Sequence, residues 1–402
     1  MNRAALRASS YAFIGTLALI TTGCATDESS AQPTETSPTP LASAFSGQKF
    51  ETEIGLTQPD SLTTHTLSEH PINAAKPVSL LAWHDHQTVI SHGLIEDGSL
   101  KENNKLVFDT KEGAYHLTPP AVQDDPPRQA LTASITEKYV VWSEAAGLES
   151  GTAQRVFLHD KAKKTTNFIH PADTTKFGLT LGAIGGDALP VFSDDKIWWH
   201  TTYQTPEGNK NPALVMHDPL HGATTVVAEG YTQPKPLGDG IVALGLNPHS
   251  SGTTTTGTTT HDPNVIASFS YFSSDGKSTD LITFNTAHNE SEFVHDFDAH
   301  DKLLAVGYKN SILVFDEHGT PLTRINTENF GVPSSIRVCG NNVVFTTGND
   351  TSAATVHATN IADNTVQSAA RNTVVTSITC NADAARWTEN ANGTAFNIEA
   401  RF

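Results

Sequence analysis

At 402 residues, with 43 acidic side chains against 25 lysines and arginines, the chain has room for several domains or one long repeat array and carries a net charge of −18. That balance excludes nucleic acid and anionic lipid headgroups as default partners, because both repel a polyanion. Any contact with a membrane must then come from an anchor.

The first residues supply one. Arg3 and Arg7 precede a short, uncharged and mostly apolar run over residues 11–22, and Gly23-Cys24 follows it. A run this short is too small to span a bilayer and reads as an export signal. The closing Gly-Cys resembles the lipobox of bacterial lipoproteins, in which the cysteine is acylated and becomes the new N-terminus. Thr21 departs from the residues usual there, and an ordinary cleaved signal with an incidental cysteine is the alternative. The resemblance implies a signal peptide over 1–23, lipidation at Cys24, the lipid bilayer as a partner, and a place on the extracytoplasmic face of the cell membrane. Acyl chains would hold the protein there, since each buried CH₂ contributes about 0.8 kcal/mol.

Residues 24–48 are rich in Ser, Thr and Pro and poor in large apolar groups. Such a stretch cannot bury enough surface to order itself and is expected to be a tether. At about 3.1 Å per residue it would reach on the order of 70 Å.

From residue 49 to 402 the chain reads as one all-β domain built on a repeat. The clearest pair of copies is 335–348, Ser-Ile-Arg-Val-Cys-Gly-Asn-Asn-Val-Val-Phe-Thr-Thr-Gly, and 377–390, Ser-Ile-Thr-Cys-Asn-Ala-Asp-Ala-Ala-Arg-Trp-Thr-Glu-Asn. Two units alternate along the chain. One is a turn and a strand, as at Lys138-Tyr-Val-Val-Trp-Ser, Lys196-Ile-Trp-Trp-His and Asn342-Val-Val-Phe-Thr, preceded by a short polar residue that favours tight turns. The other is a strand ending on Asp or Asn: Leu106 to Asp109, Val156 to Asp160, Leu214 to Asp218, Leu281 to Asn285, Leu313 to Asp316, Val356 to Asn360 and Thr394 to Asn397. Six intervals separate Asp109 from Asn397, a mean period of 48 residues. Four strands per period is the pattern of a β-propeller, whose blades hide one another's faces. About seven four-stranded blades are expected. A Thr/Gly run between His249 and His261 and an extra strand over 265–273 leave six to eight open. That strand is either the true partner of Leu281 to Asn285 or half of an inserted hairpin. The last copy has too few residues for an outer strand, and an early strand such as 50–55 is expected to close the ring.

The first and third connections of each blade are tight turns on one rim. The long connections, 116–129, 144–154, 170–188 and 202–212, then lie on the other rim, where binding surfaces usually form. Histidine is abundant at 18, and His-Asp recurs six times. The pairs at 159–160 and 217–218 fall where sister repeats place Phe-Asp and are expected to be turn residues. Asp296, Asp298 and His300 differ, since period two puts all three on one side of a strand, where they form a weak metal-ligand set without zinc spacing or a calcium-loop glycine. No other metal or cofactor is expected. Trp198 and Trp199 are expected to pack between blades. Nucleophile-elbow, zincin, Cys-x-x-Cys and phosphate-loop motifs are all missing. Cys339 and Cys380 end equivalent strands of adjacent repeats. In an oxidising compartment they are expected to form a disulfide, the alternative being two buried thiols.

The whole resembles exported bacterial propeller lipoproteins, a broad grouping in which binding and scaffolding are commoner than catalysis. It lacks the Ala-x-Asp-x-x-Thr-Gly-x-x-x-Trp signature of the outer-membrane-assembly propeller lipoprotein and the Gly-His and Trp-Asp signature of the WD repeat. The expected function is therefore a tethered, non-catalytic binding or scaffolding module that meets a protein or an envelope polymer through its long-loop rim. The rival is an extracytoplasmic hydrolase or lyase acting on a glycan or peptide at the propeller axis.

Overall fold

The computed structural model describes residues 48–402 and Phe45, apart from 57–59, 72–77, 98, 121–126, 148–153, 172–188, 205–209, 247–250, 254–258, 262–265, 285–292, 351–352, 372–373, 382 and 392–393. The expected signal peptide, Cys24, nearly all of the expected tether and the middles of the four long connections lie outside the described residues. Among the described residues no helix is long and apolar enough to cross a membrane.

Three strands lead the chain: β1 (Thr52–Gly55), β2 (Asp60–Ser61) and β3 (Thr64–Pro71). Seven blades follow. Blade one is β4 (Val78–His84), β5 (Gln87–His92), β8 (Lys105–Thr110) and β9 (Gly113–Leu117), with a small hairpin, β6 (Ile95–Glu96) and β7 (Ser99–Leu100), between its middle strands. Blade two is β10 (Arg128–Ile135), β11 (Tyr139–Ala146), β12 (Arg155–Asp160) and β13 (Thr165–Ile169). Blade three is β14 (Val191–Ser193), β15 (Lys196–Gln204), β16 (Lys210–Asp218) and β17 (Ala223–Glu229). Blade four is β18 (Tyr231–Leu237), β19 (Gly240–Leu246), β22 (Ile266–Phe272) and β23 (Ser278–Thr283), and carries the hairpin β20 (Ser251–Thr253) and β21 (Thr259–His261). Blade five is β24 (Val294–His300), β25 (Leu303–Tyr308), β26 (Ser311–Asp316) and β27 (Pro321–Asn326). Blade six is β28 (Ser334–Cys339), β29 (Asn342–Asp350), β30 (Ala353–Asn360) and β31 (Val366–Arg371). Blade seven takes β32 (Val374–Asn381), β33 (Ala384–Ala391) and β34 (Thr394–Arg401) from the end of the chain and β3 from its beginning.

Each innermost strand touches the next, and β32 touches β4, so the ring is closed. Closure departs from the expected strand. Residues 50–55 do not complete blade seven: β1 lies parallel to β27 as a fifth strand of blade five, and β2 does the same against β31 of blade six. The seventh blade is completed by β3, antiparallel to β34 from Thr64 opposite Ala400 to Pro71 opposite Thr394. The leading segment thus covers the outer edges of three successive blades, leaving their ladders less open to foreign strands. Phe45 begins this cover, 1% exposed among Phe284, Tyr308 and Phe315. Blade four also differs from expectation. The strand expected over 265–273 is β22, the true third strand, and Leu281 falls in the outermost strand β23.

Alternation along each strand sends apolar side chains to both faces of a blade, so the core is divided among the joints between blades. Trp198 packs with Ile241 and Phe272 toward blade four, while its neighbour Trp199 packs with Val141 and Leu158 toward blade two. Both indoles are between-blade packing, as expected. In blades one, three, four, five and six the turn joining the first two strands uses left-handed residues. Blade three turns on Asp194 and Asp195 at φ 47° and 57°, and blades four and six use Gly238 and Gly340 at 58°. Consecutive left-handed residues match the twist of the flanking strands.

Candidate functional site

The two rims differ in chemistry. On the tight-turn rim the carboxylates close the turns. Asp160 accepts from the Lys163 amide at 3.0 Å, Asp218 from the Leu220 and His221 amides at 2.9 and 3.2 Å, and Asp316 from those of His318 and Thr320 at 2.9 and 2.7 Å. The Lys196 ammonium, 2.7 Å from Asp218, with His221 beside it, holds that carboxyl well below the usual range. The neighbouring histidines are buried and bond the outer strand of their own blade, His159 to Thr166 at 3.1 Å and His217 to Thr224 at 2.8 Å. Burial pushes both rings' pKa down. In both pairs the aspartate closes the turn, as expected, whereas the histidine is a strand residue that ties its strand to the next. Lys161, on the same rim, lies over the Phe108 ring, its ammonium bonded to Gln87 and the Thr136 carbonyl, and burial lowers its pKa to about 8.

Asp296, Asp298 and His300 share a face of β24 but do not converge. Asp296 accepts the Ile336 amide at 2.7 Å, and Asp298 accepts the Val338 amide at 3.0 Å and faces Lys235 at 3.2 Å. His300 turns to Asp301, 3.2 Å away. The two aspartates thus satisfy amides of the neighbouring blade's innermost strand β28, an edge otherwise facing the axis. Other innermost strands use the same device: Ser134 donates to the Pro190 carbonyl at 2.9 Å, and Trp83 to that of Thr379 at 3.3 Å. Among the described residues no group of three or more His, Cys, Asp or Glu side chains is placed to hold a metal ion. Cys339 and Cys380 are joined by a disulfide between β28 and β32, with Cα atoms 5.2 Å apart.

The long-loop rim carries a cleft of about 570 Å³ between blades one and two, lined by residues 102–106 and 116–120 of blade one and by Arg128, Glu144, Arg155 and Phe157 of blade two. Strand pairing builds its charged wall. Glu144 near the end of β11 lies opposite Arg155 at the start of β12, and Arg128 opens the adjacent β10 opposite Ala146. Trp142 sits two residues before Glu144, so both point to one face, and its indole N–H donates to the carboxylate at 2.8 Å. Arg128 lies with Nε 3.5 Å from that carboxylate and donates through Nη2 to the Glu144 carbonyl at 3.1 Å. Arg128 and Glu144 are buried at 2% and 4% exposure. The Arg128 backbone fastens the two blades across the cleft: its N–H donates to the Asn103 side-chain Oδ1 and its carbonyl accepts from the Asn104 amide, both at 2.8 Å. Leu106, Leu117 and Phe157 supply buried apolar walls.

Sequence reasoning reached this rim but not these residues. The signal that could have found them is Trp-x-Glu, which the chain uses twice. Trp387 likewise donates to Glu389 at 2.7 Å, and Arg371 lies 3.0 Å from that carboxylate.

No family model matches the chain, and no curated protein matches it. Solved structures do, at the level of the fold. The β-propeller domain of the Trilobed protease from Pyrococcus furiosus aligns with a TM-score of 0.54 at 10% identity, over 80% of this chain and 94% of that one. The Pyrococcus horikoshii acylaminoacyl peptidase aligns at 0.50 and 10% identity, over 78% of this chain and 49% of that one. Virginiamycin B lyase from Staphylococcus aureus gives 0.47 at 11% identity, over 85% and 99%. The likeness to the Trilobed protease domain, itself a β-propeller, is one of fold alone.

Proposed function

We propose that the chain is an exported protein, held to the outer face of the cell membrane through acylated Cys24, that binds a partner through the long-loop rim without chemical turnover. The observation that carries the binding reading is the cleft between blades one and two. It is a concave depression with apolar walls and a few fixed polar groups, the usual make-up of a binding site. Its buried ion pair is engaged in structure: Glu144 takes the Trp142 indole and sits beside Arg128. At the axis, the carboxylates of Asp296 and Asp298 hold backbone amides, which removes them from the list of ready acids or bases. The leader through Cys24 supports the anchor.

Affinity capture from membranes with the tagged full chain tests both halves. Wild type is expected in the membrane fraction with a reproducible partner. Cys24→Ser is expected to move to the soluble fraction. Charge reversals on the long-loop rim, Glu102→Lys with Glu328→Lys, are expected to lose the partner, whereas Lys163→Glu on the tight-turn rim keeps it. Capture that depends on Lys163 and ignores the long-loop rim would reject the face; a Cys24→Ser protein still in membranes would reject the anchor.

A further inference from the structure

We propose that blades five and six form a docking site at the axial mouth, which rests on the reading of the long-loop rim as the binding face. Its occupant is a protruding segment of a partner protein that carries an apolar side chain beside a carboxylate. Two of the four exposed large apolar side chains among the described residues lie here, Phe293 at 44% and Val332 at 50% exposure. Phe293 precedes β24 and Val332 precedes β28, so both stand where innermost strands enter from the long-loop rim. The Asp296 carboxylate reaches the Ile336 amide and that of Asp298 the Val338 amide, an offset of 40 residues. The same offset sets Phe293 beside Pro333 and Val332. The rim is low on this side. Blade five joins β25 to β26 through Lys309 and Asn310 alone, and blade six joins β29 to β30 across 351–352, whereas blades two and three use longer connections. Adjoining exposed apolar side chains with a polar border mark a place where a partner sits.

Charge sets the rest of the partner. Lys309 has a left-handed backbone at φ 52°, held by two bonds to the start of blade five. Its amide donates to the Phe293 carbonyl at 3.1 Å, and its carbonyl accepts from His295 Nε2 at 2.9 Å. Gly307 makes room for this, since a Cβ there would strike the His295 ring. The ammonium is thereby set 4.5 Å from the centroid of the Phe293 ring and 5.3 Å from that of Tyr308. Among the described residues these rings are its partners, and no carboxylate pairs with it. An ammonium has three donors, so one over a ring can still take an incoming carboxylate while the apolar side chain beside it meets Phe293 and Val332. Glu328 is exposed on the turn that leads into Val332, and it repels a carboxylate from that end and directs it to Lys309. The net charge of −18 does not decide this contact, because salt screens charges beyond about 8 Å.

A random peptide display library selected on the immobilised full chain in detergent tests this. Peptides with Phe, Leu, Ile or Val beside Asp or Glu are expected to be enriched. Once synthesised, they are expected to bind Lys309→Glu about tenfold more weakly than wild type, and Phe293→Ala with Val332→Ser likewise. A second selection, on Lys309→Glu, is expected to replace the acidic residue of the enriched peptides by Lys or Arg, a change that a merely structural lysine would not cause. Should the Phe293→Ala protein fold poorly, Val332→Ser alone carries the apolar arm, since Val332 is half exposed. The proposal is overturned by enrichment that ignores acidic residues, by peptides whose binding survives Lys309→Glu or the apolar substitutions, or by a library that yields nothing above the level of the Phe293→Ala, Val332→Ser protein. Peptides lost with Glu102→Lys instead would move docking elsewhere on the rim and overturn the mouth alone; the rim itself is judged by membrane capture, which uses no library.

Discussion

His357 shows what one residue does in a blade. Its ring is 1% exposed, stacked on Phe345, and held by Thr347 and Ser368 hydroxyls, each at 2.7 Å. Burial disfavours the charged ring, so its pKa falls to about 4 from an ordinary value of 6.5. Because the folded pKa lies below the unfolded one, the unfolded chain binds the extra proton between those two values. Stability from this residue is complete above about pH 6.5 and is lost as the pH falls toward 4, by on the order of 2–3 kcal/mol. His159 and His217 shift in the same direction and add to the slope. Unfolding midpoints in denaturant, measured from pH 7 to pH 4, are expected to drop. His357→Gln should flatten the drop while lowering the neutral-pH midpoint. An unchanged slope in that variant would mean the ring is not held neutral.

At the scale of strands, the repeat was readable because two signals coincide: a tight turn with a short polar residue, and an alternating run ending on Asp or Asn. Seven blades and the two-rim arrangement follow from that coincidence. Two features escaped it. In blade four the hairpin β20–β21 stretches the spacing, and Leu-Ile-Thr in the half-buried outer strand β23 reads like a third strand, so the period alone could not choose between them. The closing strand was misassigned because edge additions by β1 and β2 are parallel and carry no hairpin turn to mark them. The cleft was illegible for a related reason: Arg128 and Arg155 lie far apart in sequence, and only the pairing of β10, β11 and β12 brings them to Glu144. The leading strands should matter unequally. Removing residues through 56 strips an extra strand from a complete blade and is expected to lower the melting point modestly. Removing residues through 71 bares all of β34 and is expected to give aggregates on size-exclusion chromatography. Equal behaviour of the two truncations would show that β3 is not what closes the ring.

For the molecule as a whole, the disulfide matters through where it sits. It joins the innermost strands of blades six and seven, next to the joint where blade seven meets blade one. At that joint Arg386 lies 3.9 Å above the Trp83 ring. The bridge spans 41 residues, and a loop of that size stabilises by about 4 kcal/mol in the chain-entropy estimate. Cys339→Ser with Cys380→Ser is expected to lower the unfolding midpoint in urea with little change in the far-ultraviolet circular dichroism. A midpoint equal to that of the oxidised protein would mean the cross-link constrains a part of the chain that stays ordered without it.

The cover formed by β1, β2 and β3 also orders events in time. Polypeptide is made from its N-terminus, so these strands exist while blades five, six and seven are still unsynthesised. They must wait, with hydrogen-bonding groups unmatched, until β27, β31 and β34 have emerged. The wheel can therefore lock only after β34 is free to meet β3, and the interval before that moment is when the newborn protein most needs protection from its neighbours.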